Sequence, residues 1–339
     1  MGTATIAVAV RTTHHIDTDH CASAHQTDGV KASMKLYTYK AAAGAASTVG
    51  VLAEDGVHLV DLAATAAAAG SALPFNATSM QSLIEAGAPG LAAVSALASQ
   101  AKAVRIALSA VSLCAPLPRL LRNVYCVGWN YLDHFNEGAA HRKTAVELPD
   151  HPALFTKASN ALNGPFDPIP YNAEVSDKID WECEMGMIIG RRGRNIPEAD
   201  AMSHVFGYTV LNDVTARDMQ RYHGGQWFKG KSLDGSCPIG PCIVTADSIE
   251  PESLDIFTRV NGVVKQESNT RHLFFKLPRL IAELSRGLTL EPGDLIATGT
   301  PQGVGYARTP PEFLKPGDVL ETEVQGIGVI RNPIVAVND

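Results

Sequence analysis

The chain has 339 residues, 45% of them hydrophobic and 19% charged, enough for one large core and a smaller unit beside it. A formal charge of -7 at pH 7 offers no electrostatic hold on nucleic acid or an acidic membrane, so neither is an expected partner. The six cysteines form no CxxC pair and no regular framework, which points to reduced thiols in a cytoplasmic protein, and no uninterrupted apolar span is long enough for a membrane helix.

Residues 1–33 differ from the rest and are expected to be a disordered leader or extension. His14, His15, Asp17, Asp19, His20 and Cys21 lie close together there, a composition that binds metals adventitiously at chain ends. From Met34 the pattern turns strand-like, with KLYTY, then TVGVLAED, a turn at Asp55-Gly56, and VHLVDLA. Two alanine-rich segments, Ala63–Ala69 and Ser79–Gln100, read as helices, the second interrupted at Gly87 and Pro89-Gly90. Residues 34–112 are thus expected to form a small amino-terminal α+β unit without catalytic groups. Pro116 and Pro118 stiffen a linker into a second unit, 113–339.

That second unit opens with NVYCVGWNYLDHFNEG, a strand followed by a short helix on which His134 and Glu137 are three residues apart and share a face. A carboxylate so placed orients an imidazole and raises its basicity, as a general base for water requires; a surface histidine with a polar neighbour is the alternative. Between Pro149 and Pro170, Lys157 and Asn160 are the side chains able to meet an anionic ligand. In IDWECEMGMII the period of a strand sends Glu182 and Glu184 to one face, and Asp213 follows the apolar run Val205–Leu211. Three carboxylates in an apolar setting repel one another unless a cation neutralises them, and an all-oxygen site suits magnesium, manganese or calcium. An edge strand's wet face plus a helix cap would explain the same residues. Thr215–Tyr222 reads as a helix whose Arg217 and Gln220 point inward or contact neighbouring acids. Gly225–Ser232 meets the bare spacing of a phosphate loop, but no apolar strand precedes it and no helix is expected after it. The remainder alternates short strands and tight turns, with Asn261-Gly262 as a hairpin signal and one helix over Leu277–Arg286, giving a mixed α/β fold that is predominantly β.

The segments VGWNYLDHFNE, PALFTKASNAL, DWECEMGMIIG, GYTVLNDVTARDMQ, GKS and LIATGTPQGVG occur in this order and together closely resemble the fumarylacetoacetate hydrolase family, over roughly Pro116 to Val337. The resemblance implies a β-sandwich or roll catalytic domain, usually dimeric, acting on a small 2-oxo or 2,4-dioxo carboxylic acid. Carried over motif by motif, Glu182, Glu184 and Asp213 would hold Mg2+ or Mn2+, with Ca2+ able to replace them in a crystal. Lys231 and Gln220 would lie beside the 2-oxo carboxylate, Thr300 would bind its carboxylate, Gly303 would let the backbone approach, and Arg217 would support the site or reach the substrate. With the His134 and Glu137 pair over the cleft, the implied activity is C-C hydrolysis of acylpyruvate-like 2,4-dioxo acids in aromatic or sugar-acid breakdown. Decarboxylation, hydration or dehydration on the same scaffold is the alternative, and a non-catalytic 2-oxo-acid-binding protein a third.

Overall fold

The computed structural model describes residues 34–141 and 147–338; the leader expected over 1–33, with its histidine cluster, lies outside the described residues. The main sheet has 12 strands, of which ten run in the order Arg105–Ala107, His58–Asp61, Thr48–Leu52, Lys35–Lys40, Cys237–Thr245, Val205–Asn212, Cys183–Ile189, Leu295–Ala297, Val124–Gly128 and Ala153–Lys157. Neighbours are antiparallel except Leu295–Ala297, which runs parallel to Val124–Gly128. A second sheet of five strands joins Asp255–Val260, Val263–Asn269, Val319–Val324, Gly328–Ala336 and Ile169–Tyr171. The hairpin expected at Asn261-Gly262 is present, both residues having the positive φ that such a two-residue turn requires, 52° and 78°. The fold is therefore a β-dominated mixed α/β architecture of large sheets.

Burial explains why the central strands lack simple polar alternation. Cys183–Ile189 is buried along its whole length because both faces of the sheet are covered. Cys183, Met185, Met187 and Ile189 join a core with Ile256, Val324 and Ile330 of the second sheet. Ile188 belongs to the opposite core, which it shares with Leu62, Leu83, Ile84 and Val94 of the helices Leu62–Ala69 and Met80–Ala98. The division expected near residue 112 does not interrupt the sheet: Leu36 pairs with Ile243, so the amino-terminal strands extend it. The expected helix over Thr215–Tyr222 is confined to Met219–Tyr222, since Thr215-Ala216 pair with Ile179-Asp180 as a short ladder. The expected break at Gly87 is real, with φ 56° inside the long helix.

Candidate metal centre and active site

The register of the two central strands builds the acidic cluster. Cys183 pairs with Asn212, and just beyond the ladder the Asp213 N–H donates to the Glu182 carbonyl at 2.9 Å. Strand alternation puts Glu182 and Glu184 on the same side, and with Asp213 they bring ligand oxygens within 4.8 Å of one another. All three are buried. Lys231 Nζ donates to Glu182 Oε2 at 2.6 Å and to Asp213 Oδ2 at 2.7 Å. Its short helix, Phe228–Lys231, reaches the cluster because Gly230 lies against Gln220 and Ala216, where a Cβ would stand 2.4 Å from the Gln220 nitrogen. Lys157, fully buried, donates to the Val214 carbonyl at 3.0 Å and lies 2.8 Å from Asp213 Oδ1. Arg217 Nε donates to Asp180 Oδ2 at 2.7 Å, and its Nη2 stands 2.7 Å from Glu182 Oε1.

The charges are unevenly shared. Burial pushes the Glu182 carboxyl up, but Lys231 and Arg217 outweigh it and hold the group down at about 2. Among the described residues Glu184 makes no ion pair; the Gly299 N–H donates to it at 2.6 Å. Burial, then the charges of Asp213 and Glu182, raise its carboxyl well above the ordinary value. Lys231 is held protonated, the pull of Asp213 and Glu182 exceeding the cost of burial. The buried set places four acids, Asp180, Glu182, Glu184 and Asp213, against three cations, Lys157, Arg217 and Lys231, so it is one positive charge short whenever Glu184 is ionised. Asp213 Oδ1 and Arg217 Nη2 are buried without a hydrogen bond and are held by charge alone. An uncompensated Glu184 beside an Asp213 oxygen that accepts no hydrogen bond fits a divalent cation, which these three carboxylates could coordinate.

A cavity of about 440 Å³ opens over the cluster, and Glu182, Glu184, Arg217, Gln220, Lys231, Thr300 and His134 line it. His134 Nδ1 lies 2.8 Å from Glu137 Oε1 on the helix Leu132–Glu137. A carboxylate only accepts, so Nδ1 carries the proton and Nε2 is left as the basic atom of the ring. Glu137 and Gly303 are not in the wall; they meet behind it, where the Gly303 N–H donates to Glu137 Oε2 at 2.8 Å. Thr300 Oγ1 accepts from Gln266 Nε2 at 2.8 Å. Of the residues expected to meet an anion, Lys157 is sealed beneath Asp213, and Asn160 pairs with Asp234 away from the cavity. The Gly225–Ser232 segment cradles no phosphate geometry, its lysine being spent on two carboxylates.

Several residues of the site carry no sequence expectation. Trp129, Phe155, Trp227 and Tyr306 form an aromatic wall, with Trp227 edge-on to Trp129 at 5.0 Å and to Phe155 at 5.1 Å between ring centroids. Trp129 holds a positive φ of 57°, uncommon for so bulky a residue and a mark of local constraint. Asp180 anchors Arg217 and the turn at Gly305 and Tyr306. Its sequence signal is alternation: positions 180, 182 and 184 share strand parity, the same period that selected the two glutamates.

Residues 123–335, more than half of the chain, match the family described as fumarylacetoacetate (FAA) hydrolase C-terminal. The chain is 46% identical over 228 residues to the oxaloacetate tautomerase YisK of Bacillus subtilis, covering 67% of this chain and 74% of that protein. It is 42% identical over 306 residues to the mitochondrial oxaloacetate tautomerase fahd2 of Xenopus laevis, covering 89% and 91%. The solved fumarylacetoacetate hydrolase EaFAH from psychrophilic Exiguobacterium antarcticum aligns with a TM-score of 0.74 and 38% identity, over 90% of this chain and all of that one. Two expectations are corrected by these likenesses. The C-C hydrolase does not stand, because relatives of higher identity than that hydrolase are tautomerases by name; a His-Glu base can serve either to take a proton from an activated carbon or to activate water, so the pair could not choose the reaction. The cytoplasmic location does not stand either, since a relative matched over nearly its whole length is mitochondrial by name, and the free thiols of the described residues, none of whose helices is long and apolar enough to cross a membrane, suit both compartments. With the family match spanning the cluster, the dyad and the glycine-rich turn, the chain belongs to the fumarylacetoacetate hydrolase family.

Proposed function

We propose that this chain catalyses keto-enol tautomerisation of a small 2-oxo acid, with Mg2+ or Mn2+ held by Glu182, Glu184 and Asp213. The observation that carries this reading is the convergence on one cavity of a three-carboxylate cluster and a carboxylate-oriented histidine. The names of the relatives, oxaloacetate tautomerases at 42 and 46% identity, support it and supply the first substrate to try. Hard oxygen donors favour magnesium or manganese over zinc. Such an ion, when bound, withdraws electron density from the 2-oxo group and so acidifies the hydrogens on C3.

The chain's own residues then have separable tasks. His134 Nε2 takes the proton from C3 or returns it there, while Glu137, fixed by the Gly303 N–H, steadies the charged ring. Lys231, held protonated, places positive charge beside the carboxylates where negative charge collects on the substrate. Gln220 and Thr300, both lining the cavity, orient the substrate carboxylate. One proton leaves carbon and one joins oxygen, the latter exchanged with solvent, so the carbon skeleton stays whole.

The test is the rate at which freshly dissolved enol-oxaloacetate loses its ultraviolet absorbance, together with deuterium entry at C3 by proton NMR. Metal-loaded protein is expected to accelerate both above the metal-only rate without releasing fragments. His134→Ala should lower the rate by about 10²- to 10⁴-fold. Unaccelerated exchange, or cleavage products in its place, would overturn the reading.

A further inference from the structure

The buried charges can balance one carboxylate of the substrate and no more. With Glu184 ionised, four acids stand against three cations in the cluster, and a divalent ion held there would leave one net positive charge. That balances one carboxylate, at the end of the substrate that meets the metal. A second carboxylate needs another cation, and the cavity wall supplies it. Three strong cations line the cavity: Arg217 is spent on Asp180 and Glu182, and Lys231 on Glu182 and Asp213. Arg221, one residue beyond Gln220 on the helix Met219–Tyr222, is exposed and has no acidic partner among the described residues.

We propose that Arg221 binds the second carboxylate of the substrate and restricts the site to short 2-oxo dicarboxylates. This rests on the 2-oxo-acid reading above and adds the residue that selects within it. A guanidinium is suited to the task because its planar fork meets a carboxylate with two parallel hydrogen bonds. The aromatic wall of Trp129, Phe155 and Trp227 provides no other group to neutralise a charged tail. Among the described residues Arg221 takes part in no ion pair, and the pairs that hold the cluster are made by Arg217 and Lys231, so its replacement leaves the cluster intact.

The experiment is calorimetric titration of the magnesium-loaded full chain with oxaloacetate already at tautomeric equilibrium, so that turnover adds no net heat. A parallel titration uses 2-oxobutanoate, in which a methyl group replaces the second carboxylate. Arg221→Gln is expected to weaken oxaloacetate by about tenfold and 2-oxobutanoate by less than about twofold, whereas Arg221→Lys, which keeps the charge without the planar fork, recovers only part of the loss. Equal weakening of both ligands, or unchanged oxaloacetate binding, would overturn the proposal. The two readings fail separately: tautomerisation with no selective effect of Arg221→Gln removes this one alone. Selective, Arg221-dependent binding without tautomerisation removes the reaction and leaves the selection standing.

Discussion

Asp180 accepts four hydrogen bonds, from Arg217 Nε at 2.7 Å and from the backbone of Trp181, Gly305 and Tyr306 at 2.8, 2.6 and 3.0 Å. Each carboxylate oxygen serves two donors. The isosteric Asp180→Asn must therefore turn an NH2 group toward two N–H donors in either orientation, and it also strips a buried guanidinium of half its compensation. We expect a loss of about 3 kcal/mol in urea unfolding, with slower turnover; a loss under about 1 kcal/mol would show that Asp180 is not the anchor described. In the sequence this residue is one more acid in IDWECE, and its partners lie 37 and 125 positions away, beyond any local pattern. His134 and Glu137 were legible because an i, i+3 pair is a local feature. The atom whose proton His134 moves was not, since that depends on what the cavity admits.

At the scale of elements, the turn from Gly299 to Tyr306 ties the site together. Gly299 N–H reaches Glu184, Gly303 N–H reaches Glu137, and Gly305 and Tyr306 reach Asp180, so one segment touches the cluster, the dyad and the Arg217 anchor. Gly303 has φ 98°, and a Cβ there would lie 2.3 Å from the Lys265 carbonyl oxygen. Gly303→Ala must lift the turn away from Lys265 and draw its N–H off Glu137. The expected outcome is a fall in kcat of at least about tenfold with metal affinity changed by less than about threefold, since Gly303 touches none of the three carboxylates. Steady-state kinetics beside metal calorimetry decide it: an unchanged kcat would mean that the Glu137 contact does not govern the dyad. The glycine spacing of LIATGTPQGVG announced a special turn, but its three attachments are non-local. The same limit explains Thr215-Ala216, helical by local pattern and a strand by pairing with Ile179-Asp180.

Over the whole molecule, the prolines after Cys114 read as a boundary, yet Lys35–Lys40 adds its edge to Cys237–Thr245 and the core runs on through Leu83 and Ile188. Pairing across some two hundred residues leaves no trace in local composition, whereas the apolar runs that become fully buried central strands are plain in it. This shared core makes the candidate metal centre a property of the global fold: the strand carrying Glu184 and the strand that ends just before Asp213 lie at its middle, and an ion that binds these carboxylates binds the native state alone. Magnesium or manganese at a hundred times its Kd should then raise stability by about 2.7 kcal/mol, seen as a higher Tm that a chelator reverses. Glu184→Gln sharpens the test. The glutamine oxygen can still accept from the Gly299 N–H, while a charge facing Asp213 and Glu182 disappears. The metal-free variant should melt no lower than the metal-free wild type, and its metal-induced rise should vanish. A variant that keeps the full rise would remove Glu184 from the ligand set, and a wild type indifferent to both metal and chelator would remove the metal centre itself.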